Sequence, residues 1–86
     1  LADAAGAGDE DLRGFVAVSL AGIGPRGREL AIRDLEGITN YMVRPRTARS
    51  MVDKWHRQHR EMTNAAERAA IERSIRAVES PSANPR

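Results

Sequence analysis

The chain reads as all-α: a small bundle of three to four short helices, at about 9–22, 25–43, 47–62 and 64–79, with frayed termini. Three observations predict this class. Apolar residues recur at three- and four-residue spacing and nowhere alternate with polar ones, which is the pattern of helices and not of half-buried strands. Gly22-Ile23-Gly24-Pro25 and Pro45 interrupt that pattern at helix-length intervals. The apolar content is Ala, Leu, Ile and Val with one Phe, one Tyr and one Trp, which suits thin helix–helix packing better than a thick sheet core. Eighty-six residues make a single domain, one that buries only ~60% or slightly more of its unfolded surface. It is read as a lead-in at 1–8, a helical domain at 9–79 and a tail at 80–86.

The first helix starts from Asp9 as N-cap, with Glu10 and Asp11 in a first turn where negative charge suits the helix dipole. Leu12, Phe15, Val16, Leu20 and Ile23 follow on one face, the face expected to pack inward. Gly14 weakens this helix by ~1 kcal/mol relative to Ala, and Gly22 and Gly24 end it. Pro25 then opens a second helix at the position where its missing N–H costs nothing. Ala31, Leu35, Ile38 and Met42 form its apolar stripe, Gly37 is a weak point within it, and Pro45 stops it because Arg44 is pushed out of α conformation.

Thr47 is the expected cap of a third helix carrying Met51, Trp55 and Met62 on one face. Beyond Ala66 the stripe loses phase, with Ile71, Ile75 and Val78 on nearly the opposite side. A break at "MTNAAE" accounts for the drift, with Thr63 or Asn64 as N-cap and Glu67 placed as in a capping box. The alternative is one long helix whose halves face different partners.

Charge is segregated rather than abundant. Net charge is +2, yet residues 1–12 hold Asp3, Asp9, Glu10 and Asp11 with no base (−4), while residues 44–60 hold six bases against Asp53 (+5). Thirteen of the fourteen bases are Arg, which a GC-rich coding bias alone can produce. There is no cysteine, so disulfides and thiolate metal sites are excluded. No apolar run reaches the roughly 18 residues of a membrane span, and the start has neither a basic n-region nor an apolar h-region. The absence of an initial Met reads as a cut or processed chain. The chain is expected to be soluble, cytoplasmic if intracellular, with a secreted effector as the other possibility, and to need no cofactor and no small-molecule substrate.

A helix, a Gly-apolar-Gly turn and a second helix opened by Pro, at residues 12–36, resemble the helix-hairpin-helix motif of DNA repair and recombination proteins. The resemblance implies that Gly22 and Gly24 let the backbone approach a phosphate, that Ile23 points inward to pin the turn, and that Arg26 and Arg28 reach flanking phosphates. Two positions depart from the motif: Arg28 stands where the family places a small residue, and Ala17 where it places a large apolar one. The plainer reading of the turn is a tight joint between packed helices.

The second candidate is the Arg-rich stretch "RPRTARSMVDKWHRQHR". Arg44, Arg46, Arg49, Lys54, Arg57 and Arg60 give it a basic face suited to nucleic-acid phosphate, to an acidic protein, or to the chain's own acidic segment at 9–11. His56 and His59 share an i,i+3 spacing but lack a third strong metal ligand. Trp55 is expected to be the largest packing residue. Serines without a nucleophile elbow, no Gly-rich phosphate loop, and acids paired with bases at helical spacing (Asp53–Arg57, Glu72–Arg76) argue against an enzyme. Two functions therefore stand as expectations. One is a nucleic-acid-binding module using the turn and the Arg-rich helix. The other is a protein-interaction module meeting an acidic or helical partner through the basic face and the Ala-rich last helix.

Overall fold

The computed structural model describes residues 2–79, with side chains from Glu10 onward, and the expected tail at 80–86 lies outside them. The described residues form four helices and no strand: α1 (Ala2–Ala21), α2 (Pro25–Glu36), α3 (Val43–Glu61) and α4 (Ala65–Glu79). α1 packs on both α2 and α3, and α4 closes against α3 and, more lightly, α2. Trp55, Ile38, Met51 and Ile71 are the largest fully buried side chains, joined by Ala17, Ala21 and Ala31. Ile75, Leu35, Val43 and Val52 complete the core.

α1 begins at Ala2, so Asp9 lies inside the helix rather than capping it. Four of residues 2–8 are Ala, the strongest helix former, and they outweigh Gly6 and Gly8. A larger correction concerns its buried face. Gly14, Ala17 and Ala21 face the core, with Val18 and Leu20 half-buried, while Leu12, Phe15, Val16 and Ile23 are exposed. Close packing explains the choice. A Cβ at Gly14 would lie 2.5 Å from Thr47 Oγ1 and 3.4 Å from Val43 Cγ1, and one at Gly27 would overlap the Leu20 carbonyl oxygen. Small residues let α3 and α2 approach the α1 backbone on either side, and large side chains there would hold them apart.

Close approach also lets α3 finish α1. The carbonyls at the end of a helix lack intrahelical donors, and the last turn of α1 holds no base of its own. Lys54 Nζ donates to Val18 O at 3.0 Å, Trp55 Nε1 to Ala21 O at 2.8 Å and Gln58 Nε2 to Gly22 O at 3.1 Å. α4 serves α3 in the same way, Arg68 Nη1 donating to His59 O at 2.9 Å and Met62 O at 3.1 Å. Each of these helix ends is completed by a side chain from the helix packed next to it.

The second connection differs from the sequence expectation. α2 ends at Glu36, where the Gly37 N–H turns back to Asp34 O, and not at Pro45. Pro45 sits instead in the first turn of α3, where a missing N–H is equally harmless. The start is set by Asn40, whose Oδ1 accepts the Met42 N–H at 2.8 Å and the Val43 N–H at 3.1 Å. Thr47, the expected cap, is buried in the helix interior against α1. Ile38 still reaches the core from the connection, whereas Tyr41 and Met42 are exposed.

Glu10 holds this connection from α1. Its carboxylate accepts the Asn40 N–H at 2.7 Å, the Thr39 N–H at 3.1 Å and the Thr39 hydroxyl at 2.8 Å. Those bonds, the Asn40 amide first, lower its pKa from the ordinary 4.5. The α3–α4 break falls where the sequence places it. Met62 is extended (ψ 132°), and Asn64 Oδ1 accepts the Glu67 N–H at 2.9 Å. The return half of a capping box is replaced, because the Glu67 carboxylate faces Arg28.

Candidate interaction surface

The Gly-Ile-Gly-Pro turn is a tight joint whose donors are largely engaged. The Gly22 N–H donates to Ser19 O at 3.2 Å and the Ile23 N–H to Leu20 O at 3.0 Å, both continuing the last turn of α1. Gly24 has φ 113°, a conformation that L side chains rarely adopt, and its carbonyl accepts the first amide bond of α2, from Arg28, at 2.9 Å. Ile23 does not point inward: it is 69% exposed, its Cβ resting over Gly27. The close approach of the two helices occurs at Gly27, one position before the one at which the motif carries its small residue, and Arg28 is left to pack elsewhere.

Arg28 is buried, 4% exposed, with its guanidinium 3.4 Å from the Glu67 carboxylate. It reaches toward α4 rather than toward solvent, and Glu61 and Glu67 both line the cleft beside the turn. Arg28 lines the same cleft, where two acids face its single positive charge. Arg26 stays outside, 3.3 Å from Glu29 on its own helix.

The bases of α3 divide among several tasks. Lys54 caps α1, as described. Arg46 lies 3.2 Å from Asp11, an exposed pair of the kind expected from the acidic segment and contributing ~0–1 kcal/mol. Arg49, Arg57 and Arg60 are exposed and, with Asp53 among them, fall by helical register on the side opposite Met51 and Trp55. Arg44 is exposed in the first turn. The ten residues expected to bind together thus separate: Gly22, Gly24, Arg26 and Arg28 belong to the α1–α2 joint, and only Arg46, Arg49, Arg57 and Arg60 share one open helix face.

His59 Nε2 lies 2.7 Å from Glu72 Oε2, tying α3 to α4. His56 lines the same shallow groove with Arg76 and Glu79. Among the described residues no group of three or more His, Cys, Asp or Glu side chains is placed to hold a metal ion.

What remains is the outer face of α1. Leu12 is 61%, Phe15 71% and Ile23 69% exposed, with Val16 at the edge of the same face. Ser19 completes the row at helical spacing, and no charged side chain interrupts it between Leu12 and Ile23 on that side. The row sets large apolar side chains side by side in water, the kind of exposed patch that is often functional. Sequence reading assigned these residues to the core. The signal against that assignment was the stripe of Gly14, Ala17 and Ala21 on the opposite side of the same helix. Comparison with protein-family models, curated proteins and solved structures found no match for this chain.

Proposed function

We propose that the domain is a non-enzymatic protein-interaction module that docks its partner through the apolar ridge of α1. The observation that carries this reading is the exposure of Leu12, Phe15 and Val16 on one face of α1, with Ile23 exposed in the turn just beyond it. Exposed large apolar side chains in a continuous row are costly in water and become favourable once a partner covers them. An amphipathic helix offered in this way is a common mode of recognition, with anchors at three- and four-residue spacing. The docking face is therefore α1, and not the Ala-rich α4 first expected, whose Ile71 and Ile75 are used in the core. The test is a photo-crosslinking residue placed at Phe15 of the intact protein in its own cell. Protein adducts at position 15, absent with the same residue at Arg57, are the expected result, and no protein adduct at position 15 would overturn the reading.

One observation favours a second reading. Arg49, Arg57 and Arg60 are exposed along the outer face of α3, and no ion pair engages them among the described residues. A nucleic-acid backbone would suit that row, independently of the glycine turn. Binding of a labelled DNA duplex would then weaken with salt at a slope of roughly −0.9 per phosphate neutralised, and Arg57→Ala would flatten it. No binding at low salt removes this reading.

A further inference from the structure

We infer that the partner of the α1 ridge is an acidic amphipathic helix of another protein, its apolar row on Leu12, Phe15 and Val16 and its carboxylates toward the arginines of α3; the inference rests on the ridge being the docking face. α1 and α3 lie side by side and run the same way, because their contacts advance together along both helices. Asp11 meets Arg46, a Cβ at Gly14 would meet Thr47, the Val18 carbonyl takes Lys54 and the Gly22 carbonyl takes Gln58. The Asp11–Arg46 pair fixes which edges of the two helices adjoin. One turn on from Asp11 is Phe15, and one turn on from Arg46 is Ser50, with Asp53 and Arg57 continuing the same edge. All of these residues are exposed, and Arg49 and Arg60 stand just outside that edge. The apolar ridge therefore has a basic strip along its α3 side, four arginines to one aspartate.

The α2 side of the ridge differs, since Arg26 and Arg33 alternate there with Glu29 and Glu36. On the α3 side Arg46 is engaged with Asp11, whereas Arg49, Arg57 and Arg60 have no ion pair among the described residues. Apolar surface and unpaired positive charge side by side suit a ligand that carries both complements. A neutral helix covers the ridge and leaves the arginines without a counter-charge. A nucleic-acid backbone takes the arginines and leaves Leu12, Phe15 and Val16 in water. An anionic bilayer is flat and presses its charge on Asp11 and Asp53 as well, whereas a helix sets its carboxylates toward the bases alone. Charge acts across the ~8 Å Debye length, so the arginines hold the partner from beside the contact and not within it. A crosslinker at Arg57 then captures nothing, while a reversal of charge there is felt at Phe15.

The test places the photo-crosslinking residue at Phe15 of the intact protein in its own cell and sequences the captured peptide. The expected peptide carries apolar residues at three- and four-residue spacing bordered by Asp and Glu, with a net negative charge. Arg49→Glu combined with Arg57→Glu should cut the adduct at least about fivefold, because like charges then face each other. The same reversal on α4, at exposed Arg73 and Arg76, should leave the yield within about twofold, its charges lying on a helix that does not border the ridge. Circular dichroism of both double variants checks that the helices persist. A captured peptide that is neutral or basic, capture of a second copy of this chain, or a yield that the two double variants change alike overturns the acidic partner and leaves the docking reading standing. An adduct with nucleic acid or lipid and none with protein overturns both, as does no adduct at position 15.

Discussion

On α3 the large apolar side chains Met51 and Trp55 point into the core and arginines face water. On α1 the arrangement is inverted: Gly14, Ala17 and Ala21 are buried, and Leu12, Phe15 and Val16 are exposed. Both helices have an apolar face at helical spacing, so periodicity cannot separate them. The difference lies in what each face must do. α3 fills volume with Trp55, whereas α1 must come close enough for Thr47 to meet Gly14 and for Lys54, Trp55 and Gln58 to reach its last carbonyls. A small face serves that approach, and the large side chains are left over for a partner.

The contrast predicts unequal costs for two aromatic truncations. Trp55→Ala should destabilise by ~3–5 kcal/mol, since it opens a cavity and orphans the Ala21 carbonyl. Phe15→Ala, measured by urea unfolding at a dilution where the chain is monomeric, should change stability by under ~0.5 kcal/mol, as exposed positions do. If Phe15→Ala costs as much as a buried phenylalanine, the inverted face of α1 is wrong.

A glycine substitution probes the close approach next. Gly→Ala inside a helix ordinarily gains up to ~1 kcal/mol. At Gly27 the new Cβ would meet the Leu20 carbonyl and Ile23, so Gly27→Ala should instead lose ~1–3 kcal/mol through forced backbone shifts. Thermal unfolding of the two proteins side by side distinguishes gain from loss. Gly14→Ala should cost less, because the group in its way is the side-chain hydroxyl of Thr47 and not a backbone atom.

The smallest effect concerns Glu10, whose carboxylate holds the α2–α3 connection. Glu10 has its pKa lowered below 4.5 by the amide of Asn40 and the hydroxyl of Thr39. A depressed folded pKa contributes stability that is present above the unfolded value and lost as pH falls through the folded one. Urea midpoints should therefore fall as the pH drops below that ordinary value, and the profile of Glu10→Gln should be flatter on its acid side.

Much of α3 and α4 is legible in the sequence because local and global demands agree there. Met51 and Trp55, then Ile71 and Ile75, mark the buried faces, and Asn64 announces its own helix. The end of α2 is not legible because proline is acceptable both just past a helix and in the first turn of the next. Glu10, some thirty residues away, stabilises the connection by accepting the amides of Thr39 and Asn40. The candidate surface divides in the same way. The open arginines of α3 follow from spacing on a single helix. The withdrawal of Arg28 into a pair with Glu67 depends on a partner 39 positions on. The ridge of α1 is visible as a stripe, but a stripe does not say which of two faces a neighbour will choose.

The bonds that finish α1 span 34 to 36 residues, and this has a bearing on how the chain acquires its shape. Within this chain α1 is synthesised before α3, yet the carbonyls of Val18, Ala21 and Gly22 receive these side-chain donors only after Lys54, Trp55 and Gln58 have been made. Contacts so distant in sequence form late, since the intervening loop must first be closed against its entropy. During that interval the apolar ridge and the unfinished end of α1 are both open to water, and to any neighbouring nascent chain. The helix made first is finished only by residues made some thirty-five positions later.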